Sequence, residues 1–314
     1  MSTVLEFDTV ILGGGPAGLS AGIYAARATG NIAIVDVSMF GGQPSNYLEL
    51  ENYPAFPIIG GYDLMEKMEE HADKFGVNKF PMEEIQKIDL VSNPKVIETL
   101  NHTFKAKSVI IATGAQPKKL GVKGEKEFLG RGVSYCAICD GAFYREKTVA
   151  VVGGGNAALE EAMYLTKFAN KVYVIHRRNE FRADKIVQNL AFKNEKLEFV
   201  YESVVKEING EDTVKSVVLE NVKTNEISTL NIDGIFPYIG FLPNTDLING
   251  QLEQDSNGFI ITDETMKTSV DGVFAAGDVR KTPLRQVITA TSDGAVAAVY
   301  AGRYVEALAN APIA

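Results

Sequence analysis

The chain has 314 residues, 46% of them hydrophobic and 23% charged, with a formal net charge of -9, enough to fill two medium-sized cores. Acidic and basic residues are interleaved, so no basic surface is offered to nucleic acid or to an anionic membrane. No apolar run reaches bilayer-spanning length, and Met1-Ser-Thr-Val-Leu-Glu-Phe-Asp8 lacks the basic-then-apolar pattern of a secretion signal, which points to a cytoplasmic protein.

Phe7-Asp-Thr-Val-Ile-Leu12 reads as a buried strand, Gly13-Gly-Gly-Pro16-Ala17-Gly18 as a turn, and the Ala-rich stretch through Ala28 as a helix. Gly13, Gly15 and Gly18 match G-x-G-x-x-G, a pattern that gives a tight turn, close backbone approach to a pyrophosphate, and close packing of helix on strand. Asn31-Ile-Ala-Ile-Val-Asp36 is a second strand, ending in a carboxylate able to accept hydrogen bonds from a ribose diol. Farther on, Gly61 to Phe75 carries helical spacing at Leu64, Met65, Met68 and Ala72, which predicts a core-facing helix.

The two cysteines stand at 136 and 139. A bond between them closes a loop too small to add much stability, so the pair asks for a chemical reason. Structural zinc needs about four protein ligands, and His71 and His102 are far away in sequence, so no metal is expected. A redox-active C-x-x-C beside a βαβ pattern is the favoured reading, with an inert buried pair as the alternative. Asp140 follows directly, either as a general acid for a departing thiolate or as a turn residue before Gly141.

The nucleotide-binding plan then recurs. Lys147-Thr-Val-Ala-Val-Val152 is a strand, Gly153-Gly154-Gly155-Asn156-Ala157-Ala158 the turn, Leu159 to Ala169 a helix, and Lys171-Val-Tyr-Val-Ile-His176 the next strand. The interval from the first glycine to the end of the second strand is 23 residues in both copies. Where the first copy offers Asp36, the second offers His176-Arg177-Arg178, with Arg182 beyond. Guanidinium groups bind a 2′-phosphate that a carboxylate would repel. The second site is therefore expected to take NADPH, and the first a cofactor without that phosphate, for which FAD is the natural candidate; a solvated basic strand end is the bland alternative. Residues 197–232 alternate apolar and polar residues, with Asn209-Gly210 as a hairpin signal, and predict antiparallel strands around the second sheet. Gly272 to Asp278 is a short strand whose terminal Asp278 either orients a flavin ribityl chain or caps a helix, and Leu284 to Asn310 predicts a long helix.

Both the sulfur pair and the nicotinamide must reach the flavin, yet one domain carries both. A swivel on two connections, near Gln116 to Lys118 and near Leu242 to Asn244, would alternate them.

Taken together, Gly13-Gly-Gly-Pro-Ala-Gly18, Gly41-Gly42-Gln43, Glu51-Asn52-Tyr-Pro54, Ala112-Thr113-Gly114, Cys136-Ala-Ile-Cys139-Asp140-Gly141, Gly153-Gly-Gly-Asn156, His176-Arg-Arg-Asn-Glu-Phe-Arg182, Gly277-Asp278 and Arg285-Gln286 resemble the low-molecular-weight, bacterial-type thioredoxin reductases over almost the whole chain. The resemblance implies an α/β fold of two Rossmann-like three-layer (ββα) nucleotide-binding domains. An NADPH domain at 118–244 is inserted into an FAD domain made of 1–117 and 245–314. It further implies a cytoplasmic homodimer that reduces thioredoxin, with Cys139 against the flavin, Cys136 attacking the partner's disulfide and Asp140 donating a proton. The FAD set becomes Gly13, Gly15, Pro16, Ala17, Gly18, Asp36, Gly42, Gln43, Asn52, Ile85, Ala112, Thr113, Gly114, Gly277, Asp278, Arg285, Gln286 and Val287. The NADPH set becomes Gly153, Gly155, Asn156, Ala157, Ala158, His176, Arg177, Arg178 and Arg182, and partner docking falls to Gly130, Arg131 and Phe143. The chain departs from some members at Ala142, where they have a second aromatic, and at Pro44 to Glu51, where they are Thr-rich. A reductase for another dithiol carrier, a flavin-dependent oxidase and a nicotinamide-binding sensor are the competing functions. The sulfur pair argues against the sensor and the three arginines against the oxidase.

Overall fold

The computed structural model describes residues 3–28, 30–47, 49–248 and 250–310. In chain order the elements are β1 (Thr3–Leu12), α1 (Pro16–Arg27), β2 (Ile32–Val35), α2 (Gly61–Lys74), β3 (Asn78–Phe80), β4 (Ile85–Asp89), β5 (Lys95–Thr99), β6 (His102–Ile111) and β7 (Ala115–Pro117). There follow α3 (Ala137–Asp140), β8 (Thr148–Gly153), α4 (Asn156–Leu165), β9 (Lys171–Ile175), α5 (Lys185–Phe192), β10 (Leu197–Val200), β11 (Ser203–Gly210), β12 (Val214–Asn221), β13 (Ile227–Asn231), β14 (Gly234–Tyr238) and β15 (Phe241–Pro243). The chain closes with β16 (Val273–Ala275) and α6 (Val287–Ala309). No helix among the described residues is long and apolar enough to cross a membrane.

The chain divides into two units: Met1–Gln116 with Leu242–Ala314, and Pro117–Phe241 between them. The divisions fall one and three residues ahead of the crossings expected at 117/118 and 244/245. The short strands β7 and β15, which carry the chain out and back, pair with each other.

In the first unit the strand order is β3-β2-β1-β6-β5-β4, with β16 also on β6. Strands β3, β2, β1, β6 and β16 run parallel, and the β5–β4 hairpin extends the sheet antiparallel. The four residues of β2, Ile-Ala-Ile-Val, are all buried, as a strand covered on both faces requires. One face packs Ile11, Ile34 and Phe274 against α1 and α6, and the other collects Val10, Leu12, Phe104 and Val109. Helix α6 lies close on α1 because Gly294 has no side chain: a Cβ there would overlap the Ala17 carbonyl.

In the second unit a parallel sheet, β10-β9-β8-β14, stands apart from an antiparallel one, β11-β12-β13. Val149, Val151, Val174 and Phe236 face α3, α4 and α5, while Ala150, Ile175 and Ile235 face Val205 and Val217 of the antiparallel sheet. This is the three-layer ββα arrangement, and the α/β fold class expected from sequence holds.

Four expectations need correction. Helix α4 spans Asn156–Leu165 rather than 159–169. It starts directly on Gly155, whose carbonyl accepts the Leu159 amide, and the amides of Lys167 and Phe168 then bond back three residues, tightening the chain out of the α-helix. Strand β10 is parallel to β9, with Leu197 opposite Val172, so residues 197–200 belong to the nucleotide-type sheet and only 203–231 are antiparallel. Asn209 and Gly210 are the last ladder residues of β11 beside a bulge, and the turn itself is 211–213. Helix α6 begins at Val287 rather than 284, because Gln286 and Thr289 form a reciprocal capping box.

Gly13 sits at φ +107°, and a Cβ on it would lie 2.7 Å from the Ala112 carbonyl carbon. Gly76, at φ +71°, has open space around it. Gly76→Ala should therefore cost only the left-handed backbone penalty of about 1–2 kcal/mol. Gly13→Ala should cost at least about 2 kcal/mol more, read from urea unfolding of the two variants.

Candidate active site

In the second unit, Cys136 and Cys139 are joined as a disulfide with their Cα atoms 5.3 Å apart. Cys136 occupies the N-cap of α3, and its Sγ accepts the Cys139 amide at 3.1 Å. Two further side chains hold this short loop. The Ser134 hydroxyl accepts the Cys136 amide at 3.1 Å, the Tyr238 hydroxyl accepts the Ala137 amide at 2.6 Å, and Ala137 itself is fully buried. Asp140 hydrogen-bonds Ser134, and its carboxyl is pushed above the usual aspartate range by burial, with the Ser134 bond pulling it partly back. It stands at the N-cap position of the turn Gly141–Tyr144 and makes no side-chain cap bond there.

The turn between β8 and α4 abuts this centre through the packing of α3 on α4. Gly153 is hemmed in on both sides: an added Cβ would lie 2.5 Å from the Tyr238 carbonyl and 2.6 Å from the Ala158 methyl. Gly155 caps α4 with no side-chain bond, so the first-turn amides are left without a side-chain cap, and a Cβ on Gly155 would meet nothing within 4 Å. Asn156 and Asp184 pair reciprocally, side-chain amide to carboxylate and backbone amide to Asn156 oxygen, both at 2.7 Å.

His176 is buried with its ring over Gly154, and Nε2 meets the Glu180 carbonyl at 3.1 Å. Burial pushes its pKa down against the Glu180 bond, and the charges of Arg182, Arg178 and Arg177 add to the fall. The imidazole therefore serves as a neutral brace for the turn. Arg177, Arg178 and Arg182 are exposed, and none of the three is in an ion pair among the described residues. Arg182 is tied to the turn by its own amide, which donates to the Gly154 carbonyl at 2.7 Å. Elsewhere in this unit Gly130 takes φ +73°, Arg131 is exposed with its guanidinium donating to the Glu127 carbonyl at 2.7 Å, and Phe143 is 44% exposed.

In the first unit the turn Gly13 to Gly18 leads into α1, again with no side-chain cap and with Pro16 at the first helical position. Asp36, at the end of β2, takes the Gly14 amide at 2.6 Å and the Ser38 amide at 2.8 Å. Part of the carboxylate expected to face a ribose is thus engaged in shaping the loop. Gly42 lies against Gly15, where a Cβ would come within 3.1 Å of the Gly15 Cα. Gln43 donates to the Ala115 carbonyl at 2.6 Å, and Asn52 donates to Gln286 at 2.9 Å across 234 residues of chain. Ala112 donates to Leu12 at 2.7 Å, Thr113 and Asn244 exchange side-chain to backbone bonds at 2.7 and 2.8 Å, and Gly114 takes φ +69°. Ile85 opens β4 half-buried, and Val287 opens α6.

Asp278 lies in the turn Gly277–Val279, where Ala276 is the cap residue, and Gln286 caps α6, so Asp278 caps neither element. Burial pushes its carboxyl up to about 6, with Arg285 opposing the rise and Asp293 adding to it. The Arg285 guanidinium lies 4.2 Å from the Phe259 ring centroid. A half-buried acid that caps nothing, an uncapped helix start and glycines whose missing side chains leave room suit a dinucleotide in this unit. The uncapped start of α4 beside three exposed arginines suits a phosphorylated one in the other.

Ser134 and Tyr238, which hydrogen-bond the sulfur loop, were not singled out by sequence. Tyr238 lies 101 residues from the amide it binds, and no local motif links the two.

A family model described as pyridine nucleotide-disulphide oxidoreductase matches residues 7–294. The thioredoxin reductase of Peptoclostridium litorale is 47% identical over 309 residues, covering 96% of this chain and 98% of that one. The thioredoxin reductase of Bacillus subtilis is 45% identical over 309 residues, covering 98% of each. The crystal structure of thioredoxin reductase from Streptococcus pyogenes, 47% identical, superposes with a TM-score of 0.90 over 96% of this chain and 99% of that chain. With a disulfide-bonded C-x-x-C packed beside a dinucleotide turn and relatives at this identity over nearly its full length, the chain belongs to the pyridine nucleotide-disulphide oxidoreductases, among the thioredoxin reductases.

Proposed function

We propose that this chain takes two electrons from NADPH through FAD to the Cys136–Cys139 pair and delivers them to the disulfide of thioredoxin. The observation that carries this reading is the placement of a disulfide-bonded C-x-x-C, with a half-buried Asp140 beside it, in the same unit as an uncapped, arginine-flanked nucleotide turn. FAD, when bound, relays the electron pair between nicotinamide and sulfur.

The first unit would hold FAD: Gly13, Gly15, Pro16, Ala17 and Gly18 bring α1 to the pyrophosphate, Asp36 offers its remaining lone pairs to the ribose, and Asp278 binds the ribityl chain. Gly42, Gln43, Asn52, Ile85, Ala112, Thr113, Gly114, Gly277, Arg285, Gln286 and Val287 complete that set. The second would hold NADPH: Gly153, Gly155, Asn156, Ala157 and Ala158 at the pyrophosphate, and Arg177, Arg178 and Arg182 on the 2′-phosphate, with His176 bracing the turn.

At the sulfur centre, two electrons and two protons open the disulfide to a dithiol. Burial favours the protonated form of Asp140, which gives one proton to the sulfur that leaves as thiolate. Cys136 then attacks one sulfur of the thioredoxin disulfide, and the other thioredoxin sulfur leaves and is protonated. Cys139 attacks Cys136 in the resulting mixed disulfide, frees the second thioredoxin thiol and restores the original bond. Gly130, Arg131 and Phe143 would meet the partner. We further infer a cytoplasmic homodimer and a rotation of the inserted unit on β7 and β15 that alternates nicotinamide and sulfur at the flavin.

The decisive experiment is NADPH-dependent reduction of thioredoxin by the flavin-loaded protein. Cys139→Ser should abolish turnover while NADPH still bleaches the flavin; turnover unchanged in this variant would end the reductase reading. Replacing Arg177 and Arg178 together by Ala should raise KM for NADPH at least about tenfold, since a lost charge-assisted contact costs about 1.5–3 kcal/mol, with KM for NADH little changed.

Asp278 gives a pH signature. An unfolded aspartate has lost its proton above about pH 4, whereas Asp278 in the folded chain keeps it up to about 6. Between those values the unfolded form binds fewer protons, so stability through this residue falls as pH rises. In FAD-free protein, Asp278→Asn should gain on wild type by about 2 kcal/mol between pH 4 and 6.5 in urea unfolding.

A further inference from the structure

Asp293 is buried on α6 beside Ala290, Gly294 and Ala297. A carboxylate taken out of water is costly unless its oxygens are well satisfied. Here one feature satisfies them, the turn Gly277–Val279 with the arginine that follows it. Asp293 Oδ2 accepts the Gly277 amide at 3.1 Å and Arg280 Nε at 2.6 Å, and Oδ1 accepts Arg280 Nη2 at 3.0 Å. A single carboxylate thus grips the residue before Asp278 and the second residue after it. Gly277 stands at φ +75°, where a Cβ would lie 2.9 Å from the Ala17 methyl and 3.5 Å from that of Ala290, so the turn is wedged between α1 and α6. Arg280 is held further by Nη1, which donates to the Thr262 hydroxyl at 3.3 Å, and by its amide, which donates to the Gly277 carbonyl at 3.2 Å. Between the two gripped residues Asp278 is left half-buried.

Resting on the assignment of FAD to this unit, with Asp278 on the ribityl chain, we propose that Asp293, tethered by Arg280, is a positioning residue that fixes the Asp278 turn on α6 and thereby sets how long the flavin is retained. Both Asp293 oxygens are engaged by the turn, so the residue acts through Asp278 rather than on the cofactor itself. With the turn locked, Asp278 is already placed for a ribityl hydroxyl; with it loose, ordering the turn weakens binding. Burial raises the Asp278 carboxyl, Arg285 opposes the rise and the Asp293 charge adds to it, so the two carboxylates are within electrostatic reach of each other.

The test is FAD release from the flavin-loaded full chain, followed by the rise of free-flavin fluorescence on dilution, with thermal melting of each variant alongside. Asp293→Asn, which keeps the shape and removes the charge, should speed release about tenfold, the low end of what one charge-assisted bond contributes. Arg280→Met should act in the same direction. Asp278→Ala should also speed release at least about tenfold, and adding Asp293→Asn to it should change the rate by less than about twofold, because the residue acted upon is gone. A brace with a purely structural role would instead lower the melting temperature and leave release at the wild-type rate, or add its full effect to Asp278→Ala; either result overturns the proposal and leaves the FAD assignment intact. Release from Asp278→Ala at the wild-type rate would remove Asp278 from the flavin contacts and the proposal with it. A wild-type chain that takes up no FAD would overturn both readings.

Discussion

Backbone pressed on backbone where a strand ends and a helix begins is the constraint on which both units depend. In the first unit a Cβ on Gly18 would overlap the Gly13 carbonyl, and a Cβ on Gly13 would overlap Ala112. In the second, Gly153 faces the Ala158 methyl and the Tyr238 carbonyl. The two versions are mechanically equivalent: the crossing has room for one methyl in the second unit, where it is Ala158, and for none in the first. Both bring an uncapped helix start to the carboxyl end of a parallel sheet, and backbone amides are offered there to whatever anion arrives.

Given that shared geometry, selectivity rests on what stands at the end of the following strand. Asp36 is partly committed to Gly14 and Ser38, and so it shapes its loop as well as offering a negative edge. At the matching place His176 is buried and neutral, and the charge lies one step out in exposed arginines. The brace and the charge are therefore carried by different residues. This division leaves the arginines free of structural duty and the turn independent of whether a phosphate is bound.

Features fixed by short-range rules were readable in the sequence. The glycine turns, the helix at Gly61–Lys74 with its Leu64, Met65 and Ala72 inward, and the C-x-x-C loop all follow from local spacing. Errors came where a tertiary partner decides. Strand β10 alternates like an edge hairpin yet joins β9 in parallel because the sheet has a vacant side there. Asn209-Gly210 carries turn chemistry but lies in the ladder, the hairpin closing three residues later. The hold of Tyr238 on the disulfide loop was invisible for the same reason: it comes from β14, and nothing near Cys136 in the chain announces it.

The pairing of β7 with β15, joined further by the Lys118 amide on the Gly240 carbonyl at 2.9 Å, means that the inserted segment leaves and re-enters its host at one spot. A guest whose two ends are neighbours asks nothing of the host except a gap between two residues. Such a segment can be gained, lost or exchanged by a single recombination event without tearing the surrounding sheet. Architecture of this kind lets one nucleotide-binding unit be carried inside another without altering the host's own strand order.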